Sequence, residues 1–265
     1  MDIELLNLYQ DAANCNSCFK KFRNISQNTV VKGGQPRLVG KNYFCQKTRV
    51  CLILINPGKA HTQSEGGWDK YLNPLKSSNT LEEKKIAWNN IQEFIEDEEP
   101  DWGTIKGNWI KLYYESLGIK RSDLSMVNIM MCAEDSNDYK IAPTLNECFS
   151  IEKKSLKIIQ ALKPNKVILS GGEAIKFFCK KFSSLTALRK PRDNLIQKII
   201  SSRGEEGLKE MEFQRIPNSN IKDHIKKEFP NTSFYWIGHY AARTSTGDFD
   251  EAIKDAVFFS FNSKS

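Results

Sequence analysis

Four short apolar runs, each followed by a stretch with helical periodicity, decide what this chain can fold into. They are "VCLILI" at 50–55, "LSMVNIMM" at 124–131, "KVILSGG" from Lys166 and "SFYWIGHY" from Ser233. Residues that are apolar in succession, with no polar alternation, fit strands buried on both faces. Helical patterns separate them. "TLEEKKIAWNNIQEFIEDEEP" opens at a Thr80 cap and runs to the acidic stretch before Pro100. "TIKGNWIKLYYESLGIK" ends near Gly118, and "TLNECFSIEKKSLKIIQALKP" sets Thr144 and Glu147 at capping-box spacing and ends before Pro164. "EAIKFFCKKF" follows the third strand, "GDFDEAIKDAVFFSFN" closes the chain, and residues 2–13 form a short helix with Ile3, Leu5, Leu6 and Tyr9 on its apolar face. This alternation predicts a three-layer α/β/α sandwich around a central, mainly parallel four-stranded sheet. Functional groups in such sheets gather beyond the carboxyl ends of the strands, where Asn56, the end of the second strand, Gly171-Gly172 and His239 fall.

The chain of 265 residues, 40% hydrophobic and 27% charged, has enough apolar material for a core. It reads as a single domain, 1–265, with a polar, basic and mostly helical insertion at about 183–230. No apolar run approaches the ~20 residues of a membrane span. The start, "MDIELLNLYQDAANC", is acidic and amphipathic, unlike the basic and then apolar opening of a signal peptide. The expectation is a cytoplasmic monomer with no membrane partner. A net charge of +7 suits a polyanionic partner, since lysines and arginines displace counterions from phosphates.

Seven cysteines in a chain read as intracellular argue against structural disulfides. Cys15 and Cys18 form a CxxC pair, and Cys132 and Cys148 follow much later. Two-residue spacing lets both thiolates of the pair face one centre, so the four could hold zinc or an iron–sulfur cluster. The plain alternative is four unrelated buried thiols. Cys45, Cys51 and Cys179 lie on apolar stretches and read as core.

Two stretches, "NIMMCAEDSNDYKIAPTLNEC" and "LKPNKVILSGGEA", together with the CxxC pair, resemble the uracil-DNA glycosylase superfamily, above all its iron–sulfur branch, family four. That pattern has an N-terminal CxxC, a strand bearing Asn with Cys four residues on, a loop, a Pro-Thr/Ser…Glu…Cys helix start and a Lys-Pro before a strand ending in Gly. Asn128, Cys132, Pro143, Thr144, Glu147, Cys148, Lys163-Pro164 and Gly171 match it, and the likeness covers most of the chain apart from roughly 183–230. The resemblance implies that Cys15, Cys18, Cys132 and Cys148 hold one [4Fe-4S] cluster in a structural role.

It also gives a role to the end of the first strand. Family four carries Gly-Glu-Ala-Pro-Gly there; this chain has Asn56-Pro57-Gly58, similar to the mismatch-specific and single-strand-selective branches. Asn56 then positions the attacking water, which suffices if the glycosidic bond breaks before the water adds. Gly58 stands where a tyrosine excludes C5 substituents in the strictest uracil enzymes, so the pocket wall is expected to be open. Without the resemblance, the same residues read as a strand ending in a Pro-Gly turn.

His239 in "WIGHYAART" corresponds to the histidine that donates to the pyrimidine oxygen gaining charge as the base leaves. Tyr240-Ala241 replaces the usual Pro-Ser, which puts the orientation of His239 in doubt. Arg243, four residues on, matches an arginine that fills the gap left by a flipped base. Asn128 corresponds to the base-reading asparagine, whose amide offers both a donor and an acceptor. Trp68, with Tyr71 behind it, is the candidate to stack on the base. The bland readings are a solvated strand-end histidine, a surface arginine and a core tryptophan. His61 and His224 read as surface or pocket-rim residues.

The resulting expectation is a monofunctional DNA glycosylase acting on a uracil-type or C5-modified pyrimidine in DNA. The alternatives are a catalytically inert iron–sulfur nucleic-acid-binding protein and a defence glycosylase acting on hypermodified phage pyrimidines.

Overall fold

The computed structural model describes residues 2–18, 33–55, 68–97, 119–132, 145–170, 172–180 and 216–237. Four strands, β1 (Val50–Leu54), β2 (Leu124–Asn128), β3 (Lys166–Ser170) and β4 (Ser233–Ile237), form one parallel sheet in the order β2-β1-β3-β4. The fold is α/β, as the alternating pattern predicts. β1 and β2 are buried along their whole length, which is why their sequences show no alternation. β3 and β4 run in register from Lys166 opposite Ser233 to Ser170 opposite Ile237. Among the described residues no helix is long and apolar enough to cross a membrane.

The chain gathers into two compact units. The first comprises Met1–Val39, Cys51–Glu99 and Ser125–Pro164; the second comprises Gly40–Val50, Pro100–Leu124 and Asn165–Ser265.

In the first unit, α1 (Ile3–Ala13) starts where the Asp2 carboxylate accepts the Glu4 N–H at 3.1 Å. It buries Leu5, Leu6 and Tyr9, while Ile3, expected on that face, stands exposed in the first turn. α2 (Asp69–Ser77) has no counterpart in the sequence reading, because Pro74 inside it argues against a helix. It forms because Leu72 and Leu75 bury completely, and the Ser77 and Ser78 hydroxyls donate to the carbonyls of Asn73 and Pro74 at 2.9 and 2.7 Å.

α3 (Leu81–Asp97) begins at the expected cap, which is a full capping box. Thr80 Oγ1 accepts the Glu83 N–H at 3.2 Å, and the Glu83 carboxylate accepts the amides of Asn79 and Thr80 at 2.7 and 3.0 Å.

One element departs from expectation. The single helix predicted from Thr144 to Pro164 is two pieces: a π-helical turn at Glu147–Ile151, then α4 (Lys154–Leu162). The Glu152 N–H reaches back to the Glu147 carbonyl at 2.8 Å, and Lys153 turns left-handed with φ 54°. A capping box fixes where a helix starts and says nothing of whether it continues. α4 stops where predicted, with Lys163 left-handed at φ 48° just before Pro164.

A strap of chain, 33–39, runs antiparallel along the free edge of β2. Val39 bridges Ser125, and the Met126 N–H donates to the Leu38 carbonyl at 2.7 Å. The Gln92 side chain of α3 secures it, accepting the Val39 N–H at 2.8 Å and donating to the Arg37 carbonyl at 3.3 Å. An otherwise open sheet edge is thereby covered.

In the second unit, α5 (Gly172–Phe178) and α6 (Asp223–Glu228) accompany β3 and β4. Phe178 and Phe229 pack on Phe234 at centroid distances of 5.8 and 6.2 Å. The helices predicted from Thr104 to near Gly118 and after Gly247, and residues 183–215 of the insertion, lie outside the described residues.

Two substitutions separate core from cap. Ile53→Ala, at a fully buried position of β1, should lower the unfolding free energy by about 2–5 kcal/mol. Thr80→Ala removes one cap and should cost about 1 kcal/mol. Urea unfolding followed by circular dichroism reads both; equal losses would contradict this packing.

Candidate functional site

The site is built at the end of α1. The Ala12 carbonyl, one of the orphan acceptors of a helix C-terminus, accepts the Cys15 N–H at 3.0 Å and the Gly34 N–H at 2.8 Å. The next amide of the strap, Gln35 N–H, donates to the Met131 carbonyl at 2.8 Å. Two consecutive amides thus bring the end of α1, with its CxxC pair, to the residue before Cys132.

Glycine is required at this crossing. Gly33 sits at φ +122°, and a Cβ there would stand 2.1 Å from the Ala13 carbonyl oxygen; one on Gly34 would stand 2.9 Å from that of Ala12.

Cys148, in the π-helical turn, supplies the third wall. Cys15, Cys18, Cys132 and Cys148 line one chamber, together with Ala12, Gly34, Met130 and Met131. Burial pushes the Cys148 thiol up to about 11 and that of Cys132 well above the ordinary range, and the neighbouring cysteines add to the rise at Cys132. Backbone amides oppose it: Gly33 against the Cys132 sulfur, Met131 and Ser155 against that of Cys148. With nothing bound, the Cys132 and Cys148 thiols resist ionisation, through burial first and neighbouring cysteines second. A cationic centre would reverse that balance and release protons as it bound.

Among the described residues no three His, Cys, Asp or Glu side chains converge closely enough to hold a single metal ion. Thiolates around one zinc would stand about 3.8 Å apart, given a Zn–S bond of about 2.3 Å. The four cysteines line one shared space. Four soft thiolate donors, with backbone amides turned toward the Cys132 and Cys148 sulfurs, have the chemistry that an iron–sulfur centre or zinc requires.

Asn128 is the last residue of β2, four before Cys132. Beyond it the chain stays tied to the end of β1: the Ile129 and Met130 amides donate to the Leu54 and Ile55 carbonyls, both at 2.9 Å. The Asn128 side chain is 1% exposed, and neither its Nδ2 nor its Oδ1 has a hydrogen-bond partner among the described residues. A buried amide with both ends unmet is rare in a folded protein and costs about 1–3 kcal/mol per lost partner.

No protein-family model matches the chain, and no curated protein matches it.

Trp68 is 3% exposed and packs edge-on against Phe94 at 5.2 Å, with the Arg37 guanidinium 5.9 Å from its ring centre. Tyr71 stacks on Phe94 at 4.1 Å and lines an open cleft beside Lys70. Of these two aromatics, Trp68 sits in the core and Tyr71 reaches the surface. Asn56, Gly58, His239 and Arg243, like Pro143 and Thr144, lie outside the described residues.

Other residues of the site carried no sequence signal of their own. Gln35 is buried with both side-chain polar atoms unpartnered among the described residues. Lys154 also lines the cysteine chamber.

Native alkylation of the metal-free chain, mapped by mass spectrometry, checks the chamber. Cys45 is exposed and should react first. Cys51, pushed up to about 12 by burial, and Cys148 should react slowly at neutral pH and faster as the pH rises, because only the thiolate attacks. Gly33→Ala should open the crossing and bring Cys132 and Cys148 into the fast group. Cys148 reacting as fast as Cys45 in the wild type would contradict this packing.

Proposed function

We propose that the chain is a monofunctional DNA glycosylase that hydrolyses the N-glycosidic bond of a flipped uracil-type or C5-modified pyrimidine. The observation that carries this reading is the Asn128 amide, buried at the carboxyl end of β2 with neither its donor nor its acceptor met among the described residues. The O4 and N3 edge of a pyrimidine presents the complementary pair. Four cysteines from three distant segments, meeting beside that strand in the order the glycosylase likeness requires, support it further.

In this reading the bond between C1′ and N1 breaks first, and its electron pair leaves with the base as negative charge on the ring oxygens. His239 donates a hydrogen bond to the pyrimidine oxygen that gains this charge. Asn56 holds a water by hydrogen bonding; it adds to the cation-like sugar carbon and loses a proton, leaving an abasic site, while the departing base takes up a proton. No lysine nucleophile is assigned, so the strand stays intact. Arg243 fills the space the base vacates, and Gly58 leaves room for a C5 substituent. Cys15, Cys18, Cys132 and Cys148 hold a [4Fe-4S] cluster that ties the end of α1 to the end of β2. The partner is DNA, and the chain works as a cytoplasmic monomer in one domain.

Single-turnover base release from defined oligonucleotides tests the assignment. Asn56→Ala, Asn128→Ala and His239→Ala should each slow release by roughly 100-fold or more, with DNA affinity nearly unchanged. Normal rates in Asn128→Ala would remove the base-reading role. Gly58→Tyr should abolish release of 5-hydroxymethyluracil and spare uracil. A wild-type chain that releases uracil and rejects every C5-substituted base would contradict the open wall.

A further inference from the structure

We propose that Lys154, held by Asp11, is the counter-charge of the cysteine chamber, and that this pair sets the reduction potential of the cluster. The inference rests on the cluster reading above and extends it to two residues outside the ligand set. Lys154 is the first residue of α4, placed by the left-handed turn at Lys153. Its side chain is 15% exposed and lines the same chamber as the four cysteines. Its ammonium donates to the Asp11 carboxylate on α1, four residues before Cys15, and lies within electrostatic reach of Cys15 itself.

The neighbouring Ser155 amide, in the first turn of α4, faces the Cys148 sulfur. The positive end of α4 and one ammonium therefore meet the chamber together; Asp11 opposes them, as do Glu147 and Glu152, which line the same chamber. A centre held by four thiolates is net negative, and reduction adds a further electron. A nearby cation stabilises the reduced form more than the oxidised form and raises the potential; a nearby carboxylate lowers it. The two members of this pair should therefore act with opposite signs, which a purely structural ion pair would not do.

The test is a mediated redox titration of the anaerobically purified full chain, with iron content measured first and the one-electron step followed by electron paramagnetic resonance. Lys154→Met should move the midpoint negative, by up to about tenfold in the reduced-to-oxidised ratio, or ~59 mV for one electron. Asp11→Asn should move it positive, and by less, because Asp11 is 54% exposed. Lys154→Arg should keep the wild-type value. Asp11→Asn keeps the test open if Lys154→Met does not fold. Iron-loaded variants with unshifted midpoints, or with both shifts of one sign, would overturn this proposal alone. A wild-type chain that takes up no iron would overturn the cluster reading and this proposal with it.

Discussion

Two neighbouring backbone hydrogen bonds, Gly34 N–H to the Ala12 carbonyl and Gln35 N–H to the Met131 carbonyl, hold the end of α1 to the end of β2. Everything at the candidate site depends on that crossing. Each bond contributes only about 1 kcal/mol net, so its importance is geometric. The crossing sets the CxxC pair beside Cys132, and it is possible only because Gly33 and Gly34 have no Cβ to strike the carbonyls of α1. The same strap then covers the edge of β2, so one short segment both closes the sheet and assembles the chamber.

What the crossing assembles is unfavourable for a chain with nothing bound. Burial and the neighbouring cysteines hold the Cys132 thiol against ionisation, and the buried Asn128 amide goes without partners among the described residues. Folded proteins keep such costs where function uses them. Asn128 and Cys132 lie four residues apart on one strand and its continuation, so the cysteine chamber and the buried amide share a support. A centre that fixes Cys132 would also fix the strand end that aims Asn128. The split between the π-helical turn and α4 belongs to the same arrangement: it frees the first amides of α4, and that of Ser155 turns to the Cys148 sulfur.

The strands were legible because burial on both faces leaves an unbroken apolar run, as in "VCLIL". α3 was legible from Thr80 and Glu83, whose side chains close the capping box locally. α2 was hidden by Pro74, and only the burial of Leu72 and Leu75 overrides that proline. The left-handed turn at Lys153 was hidden because a lysine has no local reason to adopt it. Spacing named the four cysteines but left zinc, a cluster and unrelated thiols open, since their meeting depends on a strap, 33–39, that is distant in sequence from all of them. Asn128 could be placed at a strand end from sequence; that its amide has no partner is a property of packing. Lys154, one of two adjacent lysines in "EKKS", differs from its neighbour only through the element it begins.

The central claim is that the chain frees a pyrimidine base from DNA. The most direct measurement is a base-release screen with iron-loaded wild-type protein, in which oligonucleotides carrying uracil, 5-hydroxymethyluracil or modified cytosines are incubated and the free base is quantified by mass spectrometry. The account predicts release of at least one of these bases, leaving an abasic site in an uncut strand. DNA binding with no free base from any substrate would contradict it and leave a nucleic-acid-binding protein without glycosylase chemistry.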